Sequence, residues 1–345
     1  MHPTDLPATM PEFLARFGTD LACRDYLFQR RWPDGFRCKE CGHDRCYLLE
    51  CKVNVCECSG CGSQVSLLTG TIFEQTKTGL SKWFLAIYLF ASSKGGIAAL
   101  ELQRQLGFKS SQTAWTWLHK IRAAMSVRGA ALEGRVEVGE SDIGGPEPGK
   151  RGRDAAGKTL IAGAVETRTI AVTAPNPAAL RGVARTLAEG VAERLAKGHG
   201  TTRRRLGRIR LGCIGKASAN SLESFMKAAI APGATVVTDG WRGYLAATEK
   251  RSAHARIILS KTDGKAHDNL PGPHLIFTLA KRLLLGTYHG GVGSRHLPAY
   301  LDEFAFRSNR RGTTPAGRAM RLIDRAIATP PLTCRMIMAR TKTAT

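Results

Sequence analysis

Four cysteines in two pairs are the first side chains whose spacing dictates a chemistry. Cys38-x2-Cys41 is followed, sixteen residues on, by Cys58-x2-Cys61. Each Cys-x-x-Cys bend offers two thiolates, and two bends complete the tetrahedral shell of a structural Zn2+. Gly42 and Gly62 follow the second Cys of each pair, where the bend must close. Disulfide pairing is the alternative for clustered cysteines, but a reducing cytoplasm disfavours it. Cys46, Cys51 and Cys56 fall in the same window; Cys56 is the nearest substitute ligand and His43 a bystander. A four-thiolate site is closed, so it serves folding and contact with DNA or protein rather than catalysis. The second such side chain is Asp239, a lone acid ending the apolar run ATVVTD before a Gly-Trp turn. Acids at strand ends are where two-metal phosphodiester chemistry gathers its ligands. Capping of a following helix is the other use of an Asp there.

These residues need elements to hold them. Residues 10–33 read as a helical lead-in, with Phe13, Leu14, Phe17, Leu21, Tyr26 and Leu27 near helical spacing. Residues 36–73 are the ribbon, with strand-like runs at Tyr47–Leu49 and Val65–Leu68. Leu80–Ser92 is apolar nearly all round, which predicts a buried helix. Ile97–Leu106, stopped by Gly107, precedes Ser110–Arg128, which Ser110 or Ser111 can cap. This pair fits a helix-turn-helix with Gln112, Thr113, Lys120 and Arg122 on its second helix, and fits an ordinary helical hairpin equally well. Trp115 and Trp117 are two apart and cannot face one core. From Arg135 the pattern turns to strands: RVEVGESDIGG, Lys158–Glu166, Ile209–Ile214 and Ala234–Thr238. Residues 177–197 read as a helix, Thr201–Arg210 as a basic loop and Pro146–Lys158 as a solvated, phosphate-facing loop. Most of the last third, Leu275–Leu285 and Leu297–Asn309, reads as helix. The expected fold class is α/β, a mixed-sheet domain preceded by a zinc ribbon and a helical segment.

Composition narrows the partners. The chain has 345 residues and a net charge of +23. A charge of this size favours a polyanion, most simply double-stranded DNA, over the blander reading of an Arg-rich genomic bias. No run of 18 apolar residues exists, so a membrane span is not expected. The first residues lack a basic stretch followed by an apolar one, which argues against a secretory signal and for a cytoplasmic, nucleoid-associated protein.

Six phrases carry a family resemblance: RWPDGFRCKECGH, SLLTGTIFEQTKTGLSKWFLAIYLFASSKGGIAALELQRQLG, TAWTWLHKIRAAM, VVTDGWRGY, KRLLLGTYHGGV and HLPAYLDEFAFRSNRR. Together they resemble insertion-sequence transposases of the IS-1595 type. That resemblance implies a zinc ribbon followed by a DDE-type, ribonuclease-H-like domain. It implies cleavage of element ends and strand transfer into target DNA with Mg2+ or Mn2+. It also implies a homo-oligomer, since two ends must be processed. The implied domains are 1–75 (lead-in and ribbon), 76–130 (helical), 131–312 (catalytic, with an insertion near 170–205) and 313–345 (a basic tail). The insertion reads as a tolerated surface addition or as a lid or dimer arm.

The resemblance also places site residues. The family's second acid matches Asp239. Its third position, which takes Glu, Asn or His, matches His274, seven residues before Lys281, the implied phosphate contact. Its first acid falls in a pattern V-E-V-D-E-x-x-I-G-G, and this chain has Gly139 where that Asp belongs. Glycine cannot bind a metal. Glu137 lies on the same strand face but some 6–7 Å along the strand. Glu140 faces the other way unless a bulge re-aims it. Two more departures accompany this one: Lys216 stands where the family tends to an acid, and Ser308 where it has an aromatic. The alternative function is a non-catalytic DNA-binding protein or repressor of the element.

Overall fold

A computed structural model describes residues 7–49, 52–126, 129–144, 158–173, 176–198, 202–248, 253–257 and 270–339. In chain order its helices and strands are α1 (Met10–Phe17), α2 (Asp20–Arg31), β1 (Cys46–Leu48), β2 (Val55–Cys58), β3 (Gln64–Ser66), α3 (Leu80–Ser92), α4 (Ala99–Leu106) and α5 (Ser111–Met125). There follow β4 (Arg135–Ile143), β5 (Thr159–Ala171), α6 (Val183–Ala196), β6 (Thr202–Cys213), α7 (Ala219–Ala229), β7 (Thr235–Thr238), α8 (Gly243–Thr248) and β8 (Ala253–Arg256). The chain closes with α9 (Pro271–Gly286), α10 (Leu297–Asn309), α11 (Pro315–Ala328) and α12 (Cys334–Ala339). Two compact units result: Met1–Arg128 with Ala280–Thr345, and Gly129–Leu279.

The first unit is helical around the ribbon. The expected lead-in is two helices, not one, because Thr9 and Thr19 each cap a helix through the side-chain oxygen. The ribbon strands pair antiparallel in the order β1-β2-β3. Helix α3 buries Leu80, Trp83, Phe84, Ile87 and Phe90, as its all-round apolarity predicts. Gly107 ends α4 at φ +62°, a left-handed conformation that suits glycine, and Ser110 caps α5. Trp117 is buried and stacked on Trp83 with ring centroids 3.5 Å apart, while Trp115 is only partly buried, against His119. Residues 315–328, expected within a basic tail, form a packed helix instead. Ala316, Ala319, Met320, Leu322, Ile323 and Ala326 recur at helical spacing and are buried in the core with α3. The arginines between them hid that stripe.

The second unit is the expected mixed α/β sheet, in the order β6-β5-β4-β7-β8. β4–β5 and β5–β6 run antiparallel, whereas β4–β7 and β7–β8 run parallel. Val136, Val138 and Val236 pack on one face with Leu222, Met226 and Tyr244 from α7 and α8. The first two turns of α9 lie on the other face, with Ile276 and Phe277 buried. Two expectations change here. The segment read as a basic loop, 201–210, is strand β6 from Thr202 onward, and Arg208 and Arg210 find partners beyond the strand. The helix read at 177–197 is a short 3-10 turn, Pro177–Ala179, followed after Gly182 by α6. The loop 146–157 lies outside the described residues. Among the described residues no helix is long and apolar enough to cross a membrane.

Candidate functional site

The ribbon brings its two bends together. The sulfurs of Cys38, Cys41, Cys58 and Cys61 all lie within 4.8 Å of one another. Gly42 and Gly62 close the bends at φ +75° and +70°, their amides donating to the carbonyls of Cys38 and Cys58. The backbone amides of Cys41 and Glu40 donate to the Cys38 sulfur and lower its pKa to about 7, which favours the thiolate a metal needs. This donor set fits Zn2+. Cys56 is no substitute ligand: it is fully buried in the helical core, where burial raises its thiol to about 12.

At the sheet, geometry tests the candidate carboxylates. β4 pairs with β7 in the parallel register Glu137–Val237, and two further residues set Gly139 level with Asp239. The two positions that the resemblance pairs, Gly139 and Asp239, are therefore side by side. Asp239 sits one residue past β7, and its Oδ1 accepts the Trp241 amide at 3.0 Å, an Asx turn that fixes the carboxylate. Trp241 in turn donates from Nε1 to the Ala217 carbonyl at 3.0 Å. On the far side of that strand, the Thr238 hydroxyl lies 2.9 Å from Nε2 of His254 on β8. Burial, helped by Arg256, lowers the His254 pKa. Nothing in the sequence pattern marked His254.

Glu137 is fully buried and already engaged. Its Oε2 accepts the Gly272 amide at 3.0 Å, and Arg204 Nη1 lies 3.4 Å from Oε1. The reason lies in the start of α9, Pro271-Gly272-Pro273. Both prolines lack an N–H, so Gly272 carries the one donor of these three residues. A buried carboxylate there satisfies that donor and suits the positive end of the helix. Glu140 lies on the opposite face, where the buried Tyr244 hydroxyl donates to it. The β4–β5 register runs through Gly139–Gly163 and Glu140–Ala162 without a bulge, so Glu140 is not re-aimed.

The Gly139–Gly163 pair is a seat for α9. A Cβ on Gly139 would stand 3.0 Å from Cβ of Pro273, and one on Gly163 would stand 2.9 Å from Ile276 and Phe277 side-chain atoms. The aromatic ring over Gly163 cannot retreat cheaply in a packed interior. Gly163→Ala is expected to cost about 1–3 kcal/mol through overpacking. Urea unfolding of the full chain checks it; an unchanged midpoint would show that α9 does not press on Gly163.

His274 stands on the exposed flank of α9, next to buried Pro273, and its ring makes no hydrogen bond among the described residues. Lys281 lies two turns further along the same helix and is half-buried. Among the described residues, the four cysteines are the only three or more metal-binding side chains whose ligand atoms converge. Asp239, His274, Glu137 and Glu140 are not gathered in that way. A two-metal site needs carboxylates that share the ions, and the described residues beside Asp239 do not fit that need.

Two of the four polar residues named on the second helix of the α4–α5 pair are engaged by the fold. Arg122 is buried, donating from Nε to Glu303 Oε2 at 2.8 Å, and Lys120 reaches the Ile72 carbonyl at 3.3 Å. Gln112 and Thr113, at the start of α5, remain exposed.

Comparison with known proteins fits this architecture. Residues 131–309 match the ISXO2-like transposase domain, and residues 18–64 the transposase zinc-ribbon domain. The chain belongs to the ISXO2-like transposase family. A relative from Halobacterium salinarum, named as an uncharacterized protein in transposable element ISH50, is 26% identical over 141 residues. That match covers 40% of this chain and 46% of the relative, so the chain spans about half of that protein. No solved structure matches. The transposase-family domain thus contains Gly139, Asp239, His274 and Lys281, and the zinc-ribbon domain contains all four ligand cysteines.

Proposed function

We propose that this chain binds the terminal inverted repeats of an insertion sequence and that its DNA cleavage and strand transfer are impaired. One observation carries the reading: the residue level with Asp239 on the neighbouring strand is glycine. The nearby acids support impairment rather than rescue. Glu137 would have to release the start of α9, and Glu140 would have to leave Tyr244 and cross the sheet. Asp239 alone is a poor holder of two Mg2+ or Mn2+ ions. The zinc ribbon and the charge of +23 support the surviving role, recognition of duplex DNA by a cytoplasmic, nucleoid-associated homo-oligomer.

The test uses a labelled duplex carrying the element's own terminal repeats. The native chain is expected to retain that duplex over unrelated DNA and to leave it uncut in Mg2+ or Mn2+. Asp239→Ala is expected to bind equally well. Cutting by the native chain that disappears in Asp239→Ala would overturn impairment. Gly139→Asp alone is expected to restore only part of the cleavage, because its Cβ meets Pro273 at 3.0 Å and that ring must give way. Gly139→Asp with Pro273→Gly, which removes that Cβ, is expected to cut more than the single change. Equal cutting by both would show that packing is not the obstacle.

A further inference from the structure

The end of the sheet formed by β5 and β6 reaches past the rest of it. β4 begins at Arg135, opposite Thr167, so Arg168–Ala171 of β5 pair only with Thr202–Arg205 of β6. Four residues of strand make a two-stranded ribbon roughly 13 Å long. A register shift between Val165 and Thr167 marks where it starts. There Glu166 holds Arg208, which also reaches the Ala131 carbonyl at 3.0 Å, and Arg210 reaches the Gly129 carbonyl at 2.7 Å. The arginines at the base are thus consumed by the fold.

Beyond the shift the pattern differs. Arg168 and Arg205 are directly opposite each other, both exposed, with no ion pair among the described residues. Like charges at facing positions of an antiparallel pair destabilise it. An outside counter-charge relieves that cost, and a repeated anion relieves it for both at once. A two-stranded ribbon is also one of the shapes that a major groove of B-form DNA admits. Arg204 is half-exposed and already near Glu137, so the facing pair carries the argument.

We propose that this β5–β6 ribbon is a DNA-docking arm, with Arg168 and Arg205 on phosphates of duplex DNA. The proposal rests on the DNA-binding reading above. Phosphate contacts hold position and orientation without reading sequence, so the arm strengthens binding to any duplex.

The experiment measures the salt dependence of binding by the full chain to two duplexes, one with the terminal repeats and one without. The double variant Arg168→Gln/Arg205→Gln is compared with native chain and with Lys227→Gln, an exposed charge on α7. Each lost phosphate contact lowers the log–log salt slope by about 0.9. The double variant is expected to lose about 1.8 from the slope on both duplexes. Its preference for the repeats should not change, and Lys227→Gln should match native. Equal losses in the control would reduce the effect to net charge and overturn the arm. A native slope in the double variant would overturn the arm while leaving DNA binding intact. A native slope with a halved particle mass would assign the ribbon to a second copy of the chain instead. Failure of the native chain to bind either duplex would remove the DNA reading and the arm together.

Discussion

Cys41→Ser is expected to release zinc and unfold residues 36–66 while α3 and α5 persist. The ribbon strands have 3, 4 and 3 residues; their own buried cluster is only Phe36, Cys38 and Cys58, and Cys56 joins the helical core. Three strands this short do not bury enough apolar area to stand alone. The metal must supply the difference, and structural zinc in small domains contributes about 10–16 kcal/mol near neutral pH. Two measurements check this: zinc content of the intact protein by native mass spectrometry, and loss of ribbon amide signals in a heteronuclear NMR spectrum. A chelator should reproduce the substitution. A ribbon that keeps its spectrum after losing the metal would show that the strands hold themselves.

The second large effect is expected at Glu303. Its carboxylate is fully buried and accepts from Arg122 at 2.8 Å and from Arg307 at 2.9 Å, with the Tyr288 hydroxyl donating at 3.0 Å. Arg122 also lies over the Tyr300 ring, 3.9 Å from its centroid. Burial disfavours the Arg122 charge, but the Glu303 carboxylate beside it holds the guanidinium above its ordinary pKa. Glu303→Ala leaves two guanidinium groups beside an empty acceptor, one of them fully buried. The expected loss is about 3–5 kcal/mol. The paired change Arg122→Met/Glu303→Leu should recover most of it, since an apolar pair of similar volume needs no partner. Urea unfolding followed by tryptophan fluorescence reads this unit, which holds Trp32, Trp83, Trp115 and Trp117. A loss under 1 kcal/mol in Glu303→Ala would show that water reaches the site.

Reading the residues alone succeeded where the determinants are local. The zinc ligands lie within 24 residues, and each bend closes on its own glycine. β4 and β7 announce themselves by apolar alternation and a terminal Asp. Long-range partners defeated the rest. Arg122 fits a DNA reader and a plain helical hairpin equally well in sequence, because its partner Glu303 lies 181 residues away. The 201–210 stretch read as a loop because nothing nearby says that Glu166 and the carbonyls of residues 129–131 anchor its arginines. Glu137 read as a spare carboxylate, yet its role is set by Gly272, 135 residues on. Charge in a sequence shows that a partner is needed; only the fold says which one.

The seat beneath α9 also bears on what position 139 tolerates. Where Gly139 faces Gly163, Pro273 lies close enough that any side chain at 139 makes it give by a few tenths of an ångström. The two positions are therefore coupled across the sheet and the helix: what one can carry depends on the residue at the other. A survey of substitutions at either would rank them differently once its neighbour had changed.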